Sequence, residues 1–332
     1  MIDTKWYWYD YSRILSYKRP INYIVGVRGK GKTYGAKLYC LTRYQKYQKQ
    51  FIYVRRYDTQ LLECKDKFLA DIKSDEKLKG HQYQVDGDKI YEILENKRVI
   101  VGYFIALSRY ETYKSSSFAD VDTIVFDEFI TAERYLPNEV FKFADLCETI
   151  LRHRDGKIFM LSNSLSVVNP YFESMGIRSL NQAFTKGKDW VIHYDCDEDF
   201  AQQKRNTVVG RVFGNTEWAS YAYDNKFALD NTTNVGEIKC SKETLYNLML
   251  NGNRIGCYYA NGLLYFGQPF IGKTYTPYVE DCKDNYDVML VKPRDRHIFT
   301  IYEKYVRGLC YFENLSIKNE ITLICRKLGR NF

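Results

Sequence analysis

Apolar runs and amphipathic stretches alternate along the first two-thirds of the chain. Short runs rich in β-branched and aromatic residues predict buried strands, and apolar residues three or four apart predict helices. The predicted strands are 21–25, 51–54, 91–94, 99–106, 121–126, 158–161 and 190–193, and the predicted helices are about 34–48, 60–78 and 138–152. Strands that alternate with helices predict an α/β domain built on a parallel sheet.

The pattern changes after about residue 205. Residues 206–232 contain several glycines and asparagines and short β-like pieces at 208–209, 211–213 and 218–223, which predicts a linker subdomain. A hairpin is predicted at 255–266 around the turn Asn261-Gly262, and further strands are predicted at 288–291 and 297–302. We therefore expect three parts, at residues 1–205, 206–232 and 233–332.

Composition fits a soluble protein of one or two domains, with 332 residues of which 45% are hydrophobic and 27% are charged. No run of 18 apolar residues occurs, so no membrane span is predicted. The first residues lack the apolar core of a signal peptide. Nine cysteines without a C-x-x-C pair favour reduced thiols in a cytosolic compartment and argue against a zinc site.

The most specific motif follows the first predicted strand. Residues 26–33 read G-V-R-G-K-G-K-T, the phosphate-binding loop pattern, between a buried strand and a helical stretch as that pattern requires. Glycines let the loop backbone approach phosphates, and the amides at the start of the helix attract anions. Lys32 is expected to reach the β- and γ-phosphates of ATP, and the Thr33 hydroxyl is expected to bind Mg²⁺.

A pair of carboxylates ends the predicted strand 121–126. The carboxyl ends of parallel strands are where open α/β sheets bind ligands, so Asp127 and Glu128 should lie beside the phosphate loop. Asp127 suits the magnesium site, and Glu128 suits a general base that activates water. A solvated strand end is the alternative, which the preceding phosphate loop disfavours.

Polar side chains elsewhere have less specific patterns. Asn163 follows the strand 158–161 and suits a sensor that holds the attacking water, although Ser-Asn-Ser is also an ordinary strand-ending turn. Arg152 and Arg154 end a predicted helix, where an arginine finger or a simple cation at the helix terminus is possible.

Positive charge is concentrated near the phosphate loop. Residues 1–56 contain thirteen Lys and Arg against two Asp and Glu, a balance of +11, so the rest of the chain carries −3 of the total +8. Such a block favours a polyanionic partner, with nucleic acid as one reading. The alternative is that these cations serve ATP itself or a solvated helix face.

Taken together, these motifs resemble the DNA-packaging motor ATPases of small, protein-primed tailed phages of the phi-twenty-nine type. The resemblance extends over nearly the full length, although beyond about residue 230 it is one of pattern and length more than of motifs. It is carried by residues 13–15, 26–33, 50–57, 114–115, 123–130, 137–140, 161–163 and 166–172.

The resemblance implies a P-loop ATPase domain of the additional-strand catalytic-glutamate class, then a linker subdomain and an inactive, ribonuclease-H-like α+β domain. It implies ATP-driven transport of double-stranded DNA into a preformed procapsid by a homomeric ring, pentameric in the best-known member. The ring would work in the host cytoplasm and dock at the portal vertex, through a structural RNA in some members, with no membrane involved.

The resemblance also implies roles for individual residues. Lys114 and Arg152 correspond to residues that act on the neighbouring subunit's nucleotide, and Asn163 corresponds to the switch that restrains Glu128. The catalytic set is thus Glu128, Arg152, Lys114 and Asn163. Magnesium is expected at Thr33 and Asp127. The residues expected to bind ATP are Gly26, Arg28, Gly29, Lys30, Gly31, Lys32, Thr33 and Arg55.

Two other classes of function compete with a packaging motor. A terminase that also cuts DNA needs several carboxylates that converge on two metal ions. The predicted C-terminal strands carry no acid, and Asp281, Asp284 and Asp287 lie in a polar segment that is typical of a loop, which disfavours cutting. A P-loop enzyme acting on a small substrate is disfavoured by the Asp127–Glu128 pair and the basic N-terminal block.

Overall fold

The computed structural model describes most of the chain, in two compact units. One unit comprises Met1–Ser166 with Leu180–Leu229, and the other comprises Val167–Ser179 with Asp230–Phe332. The division into parts at 1–205, 206–232 and 233–332 stays a prediction. The described residues are 8–95, 97–131, 135–167, 169–177, 179–180, 182–227, 234–236, 241–250, 253–277, 289–291 and 295–328.

The first unit is built on a nine-stranded sheet with the order β3-β4-β5-β2-β6-β7-β1-β9-β8. The six strands from β5 to β9 in this order are parallel, so the carboxyl ends of β1, β2, β6 and β7 lie at one edge. The strands are β1 (Ile21–Gly26), β2 (Gln50–Arg55), β3 (Tyr83–Asp86), β4 (Lys89–Leu94), β5 (Lys97–Ala106), β6 (Val121–Asp127), β7 (Lys157–Ser162), β8 (Phe184–Lys186) and β9 (Trp190–Asp195).

Helices connect these strands. The amphipathic helix predicted at 138–152 is α4, in which Phe143, Leu146 and Ile150 are buried while Phe141 and Glu148 are exposed. The helices of this unit are α1 (Tyr11–Leu15), α2 (Lys32–Tyr47), α3 (Asp58–Phe68), α4 (Glu139–Leu151), α6 (Glu198–Arg205), α7 (Val208–Phe213) and α8 (Glu217–Ala222), with short 3-10 turns at Glu76–Leu78 and Leu107–Tyr113.

The central strands are buried almost continuously rather than in alternation. Ile24, Val25, Ile52 and Val54 are all at 0% exposure, as expected of parallel strands that are covered on both faces. This rigid sheet is what fixes the residues at its carboxyl edge.

The second unit is a six-stranded mixed sheet, of order β14-β13-β10-β11-β12-β15. The predicted hairpin is confirmed as β11 and β12, which pair antiparallel around Asn261 and Gly262, both at positive φ as a tight hairpin turn requires. The helices α9 and α10 share one apolar core with the sheet. The elements are α5 (Pro170–Ser174), β10 (Glu243–Leu250), β11 (Asn253–Ala260), β12 (Leu263–Gly267), β13 (Thr274–Pro277), β14 (Met289–Val291), α9 (Arg296–Val306), β15 (Cys310–Phe312) and α10 (Leu315–Leu328).

Several secondary-structure predictions were wrong. The β-like pieces predicted within 206–223 are the helices α7 and α8, because the Thr207 hydroxyl accepts the Gly210 amide and starts a helix at Val208. The strand predicted at 297–302 is part of α9, which the Asp295 carboxylate caps. The helix predicted at 60–78 ends at Phe68, and the central strand β10 was not predicted.

Candidate nucleotide-binding and hydrolysis site

The phosphate loop joins β1 to α2 as its motif predicts. Gly26 ends the strand and Lys32 begins the helix, while Gly29 and Gly31 have φ values of +80° and +79°. This left-handed region strains any residue with a Cβ atom, and a Cβ at Gly31 would also lie 2.8 Å from the Trp8 ring. Both glycines are therefore required for the shape of the loop.

The Lys32 ammonium lies inside the curve of this loop. Its Nζ donates to the carbonyl oxygens of Gly26 at 2.9 Å and Val27 at 2.7 Å, and to Asn163 Oδ1 at 3.0 Å. Burial lowers the pKa of Lys32 to about 8, although the nearby Asp127 carboxylate opposes the shift. The cation is thus positioned where the loop can bind phosphates, and Asn163 is brought to it from β7.

An oxygen-rich site adjoins the loop at the end of β6. The Thr33 hydroxyl lies 3.2 Å from both oxygens of Asp127, and the Tyr53 hydroxyl donates to Asp127 Oδ2. Magnesium prefers oxygen ligands and is usually held by one or two carboxylates together with substrate phosphates. The Thr33 hydroxyl and the Asp127 carboxylate are oxygen donors of the kind that Mg²⁺ prefers.

Glu128 follows Asp127 at the same edge, with its side chain 52% exposed and its backbone at φ +62°. Arg55 Nη1 lies 3.0 Å from Glu128 Oε2 and 3.5 Å from Asp127 Oδ2. Burial acts to lower the pKa of Arg55, but Asp127, Tyr53 and Glu128 together raise it above its ordinary value. Nη1 is thus held by ion pairs with the two carboxylates, and the buried Nε of Arg55 makes no hydrogen bond within the described residues.

The other two cations of the phosphate loop, Arg28 and Lys30, differ from Lys32 in burial and in partners. Arg28 is exposed. The Lys30 ammonium is buried in ion pairs with Asp195 Oδ1 at 2.9 Å and Asp197 Oδ2 at 2.7 Å. These pairs tie the loop to the end of β9 and the start of α6, so only the backbone amide of Lys30 is available to a phosphate.

The sequence of the chain matches a known family over nearly its whole length. The profile of the family described as Podovirus DNA encapsidation protein (Gp16) matches residues 2–329. The chain belongs to this family. It is 31% identical over 330 residues to the DNA packaging protein of Bacillus phage phi29, which covers 96% of this chain and 97% of that protein. It is 30% identical over 315 residues to that of Bacillus phage B103, covering 91% and 95%.

Solved structures agree with this family. The encapsidation protein is similar to a chain of the bacteriophage Phi-29 viral genome packaging motor assembly, with a TM-score of 0.68 and 30% identity over 97% of this chain and 99% of that one. It is also similar to the N-terminal domain of the DNA packaging ATPase from bacteriophage phi29, with a TM-score of 0.51 and 37% identity over 56% and 95%. The predicted family and fold class are thereby confirmed.

The fold places Lys114 beside α4 and Arg152 near the segment that precedes β6. Lys114 Nζ pairs with Asp145 Oδ2 on α4 at 3.1 Å, and both side chains are substantially exposed. Arg152 follows the last turn of α4 and donates to the Ser116 carbonyl, just before β6 begins. Because the 13 residues of α4 span about 20 Å at ~1.5 Å each, Arg152 lies at the edge of the sheet opposite the phosphate loop.

The side chain of Arg154 holds two backbone segments together. Its guanidinium donates to four backbone carbonyls, those of Phe118, Ala119, Val121 and Ile150. These bonds hold the start of β6 against the end of α4. Of the two arginines at this helix terminus, Arg152 is the one whose guanidinium is not committed to such a set of carbonyls.

Sequence reasoning missed three buried residues around the site. Tyr53 lies two positions before Arg55 on β2, so the strand period directs both toward Asp127. Arg56 forms a buried ion pair with Glu139, at 2.8 Å between Nε and Oε2. The strand period could have found Tyr53, but no local pattern links Arg56 to a residue 83 positions away.

Proposed function

We propose that this encapsidation protein is the ATP-hydrolysing subunit of a ring motor that drives double-stranded DNA into a preformed procapsid. The observation that carries the proposal is the convergence of Lys32, Thr33, Asp127 and Glu128 at one edge of the parallel sheet. The names of the phi29 and B103 relatives, DNA packaging proteins, support the same reaction.

The loop residues and the carboxylates have separate tasks in this mechanism. The loop amides and Lys32 would hold the phosphates of ATP, and Thr33 and Asp127 would hold Mg²⁺. Magnesium, when bound, neutralises charge on the phosphates. Glu128 accepts the proton of the attacking water, and Arg55 holds its carboxylate in position until then. Asn163, bonded to Lys32, links the state of the phosphate loop to the end of β7.

Arg152 is proposed to act on the nucleotide of a neighbouring subunit. Its position at the far edge of its own sheet, about 20 Å from the loop by the length of α4, prevents it from reaching its own phosphates. A cation donated in trans requires head-to-tail contacts, which close into a homomeric ring when the rotation allows. Lys114, on the same exposed surface as α4, is proposed to assist it.

Transport further requires a DNA path and a docking site. The basic block of residues 1–56 is proposed to contribute to the electrostatic attraction of the DNA backbone. The second unit is proposed to dock the ring at the portal vertex in the host cytoplasm, with a structural RNA as a candidate mediator. No helix among the described residues is long and apolar enough to span a bilayer.

DNA cutting is the second candidate, and one observation disfavours it. On the central strand β10, the fully buried Asn247 exchanges two hydrogen bonds with the Phe270 backbone and supplies an amide rather than the carboxylate that a metal nuclease would need. Asp281, Asp284 and Asp287 lie outside the described residues.

One experiment separates these functions. ATP turnover is measured for the full chain alone, with double-stranded DNA, and with DNA plus empty procapsids, while supercoiled DNA with Mg²⁺ or Mn²⁺ reports nicking. A motor predicts turnover that rises with DNA and procapsids, protection of DNA inside capsids, and no nicking. Turnover unaffected by DNA would favour a small-substrate enzyme, and nicking abolished by mutation of Asp281, Asp284 or Asp287 would establish a nuclease.

A further inference from the structure

A buried arginine next to Arg55 in the sequence supports Glu128. Arg56 is 1% exposed and its partner Glu139 is 2% exposed. The two side chains form a forked pair, with Nε 2.8 Å from Oε2 and Nη2 2.9 Å from Oε1. Arg55 is the last residue of β2 and Arg56 follows it, and their guanidiniums have different partners: Arg55 contacts the Glu128 carboxylate and Arg56 pairs with Glu139.

The same guanidinium also bonds the backbone of the base. Arg56 Nη1 donates to the carbonyl of Glu128 at 3.1 Å, and Nη2 donates to that of Phe129 at 2.7 Å. The peptide beyond is fixed as well, since the Phe129 amide donates to the Leu161 carbonyl of β7 at 3.2 Å. The first of these bonds falls on a residue with a left-handed backbone, Glu128 at φ +62°, and the second falls on the residue that follows it.

A left-handed backbone at a residue with a side chain persists only where its surroundings enforce it. The left-handed backbone of Glu128 turns the chain sharply after β6. The Glu128 side chain is therefore half exposed, while the neighbouring Asp127 stays buried. Glu139 accepts from the guanidinium through both carboxylate oxygens, which fixes its orientation toward the turn, and it also accepts the Leu136 amide at 2.8 Å. The pair thus links the end of β2, the chain reversal at Glu128 and Phe129, and the first turn of α4.

We propose that the buried Arg56–Glu139 pair is a positioning element that holds the backbone of Glu128 in the conformation that aims its carboxylate at the attacking water. This inference rests on the proposed function, because it takes Glu128 as the general base. Arg55 then restrains the carboxylate and Arg56 restrains the main chain, so two adjacent arginines at the end of β2 act on one glutamate through different groups.

The main test is the variant Arg56→Met/Glu139→Met in the full chain. Replacing both partners leaves no unpaired buried charge, and apolar side chains of similar volume often substitute for a buried pair without loss of stability. We expect kcat for DNA-stimulated ATP hydrolysis to fall about 10–100-fold, since a small misplacement of a reacting group has effects of this size. The dissociation constant for a fluorescent ATP analogue should stay within about twofold of the parent's, because the phosphate loop is untouched.

A control ion pair lies outside the basic block, between β5 and β3. Arg98 Nη2 donates to Asp86 Oδ2 at 2.9 Å, and neither residue belongs to the proposed catalytic or DNA-binding set. Arg98→Met/Asp86→Met should leave kcat unchanged. If Arg56→Met/Glu139→Met unfolds, Arg56→Lys is the second variant. It keeps the charge, but one ammonium nitrogen cannot reproduce the four hydrogen bonds that the planar guanidinium makes from three nitrogens, so it should show the same selective loss of kcat.

The decisive measurement is ATP turnover in variants that already carry Glu128→Gln. If Arg56 acts through Glu128, adding Arg56→Met/Glu139→Met to Glu128→Gln should cause no further loss of turnover. A wild-type kcat in Arg56→Met/Glu139→Met, or an equal further loss in the Glu128→Gln background, would overturn the inference. Near-normal turnover of Glu128→Gln itself would instead contradict the proposed function, so the two failures are distinguishable.

Discussion

The protonation of Lys32 should limit nucleotide binding at alkaline pH. Burial lowers the pKa of this ammonium to about 8, and only its charged form attracts phosphates. Each pH unit above the pKa reduces the charged fraction about tenfold, so between pH 7 and 9 the dissociation constant for ATP with Mg²⁺ should rise roughly tenfold. Burial raises the pKa values of Cys40, Cys64 and Tyr53, so these neighbours titrate above the range in which Lys32 does.

Isothermal titration calorimetry at pH 7, 8 and 9 measures this effect. Lys32→Arg is the control, since a guanidinium stays charged throughout this range, and its affinity, whatever its value, should not change with pH. Deprotonation of Lys32 would not unfold the protein in this range. Its pKa is lower in the folded state than in the unfolded state, so its contribution to folding stability increases as pH rises from about 8 to 10.5. A constant affinity from pH 7 to 9, or an equal loss in Lys32→Arg, would refute the reasoning.

Three further outcomes are expected. Glu128→Gln should keep nucleotide binding but lose about 10²–10⁴ in ATP turnover, since an amide cannot accept the water proton, and retained turnover would show that another group is the base. Mixtures of Arg152→Ala and Lys32→Ala subunits should recover some turnover, because some subunit interfaces would pair an intact phosphate loop with an intact Arg152. If turnover is not recovered although subunits are shown to exchange, Arg152 acts in cis or has only a structural role. DNA-stimulated turnover should fall steeply with salt and be equal for unrelated sequences, as expected of phosphate contacts, and a preference for one short sequence would contradict a motor.

Local patterns predicted, for a physical reason, that the phosphate loop and the two carboxylates would lie at one edge of the sheet. The phosphate loop favours glycine at positions 29 and 31 because their φ values strain residues with a Cβ atom, and this preference is visible in the sequence itself. The apolar run of β6 similarly predicted where Asp127 and Glu128 would meet the loop, since parallel strands share one carboxyl edge.

Strands were predicted where α7 and α9 lie because the β-propensity of their residues was given more weight than the helix-capping residues before them. The valines of α7 and the isoleucines of α9 favour strands on propensity, yet the Thr207 and Asp295 caps begin helices there. In α9, Ile298 and Ile301 are three residues apart and both buried, as the helical period requires.

The sequence by itself determined the phosphate loop, the two carboxylates that follow β6 and the family, because each is encoded in consecutive residues with local conformational or chemical requirements. Only the tertiary structure decided that Lys30 is held by Asp195 and Asp197, that Arg152 lies at the edge opposite its own loop, and that Arg56 joins Glu139 to the backbone of Glu128. These contacts unite side chains far apart along the chain. Their partners are selected by the order of strands in the sheet and the burial of charge, and neither is visible in a local pattern.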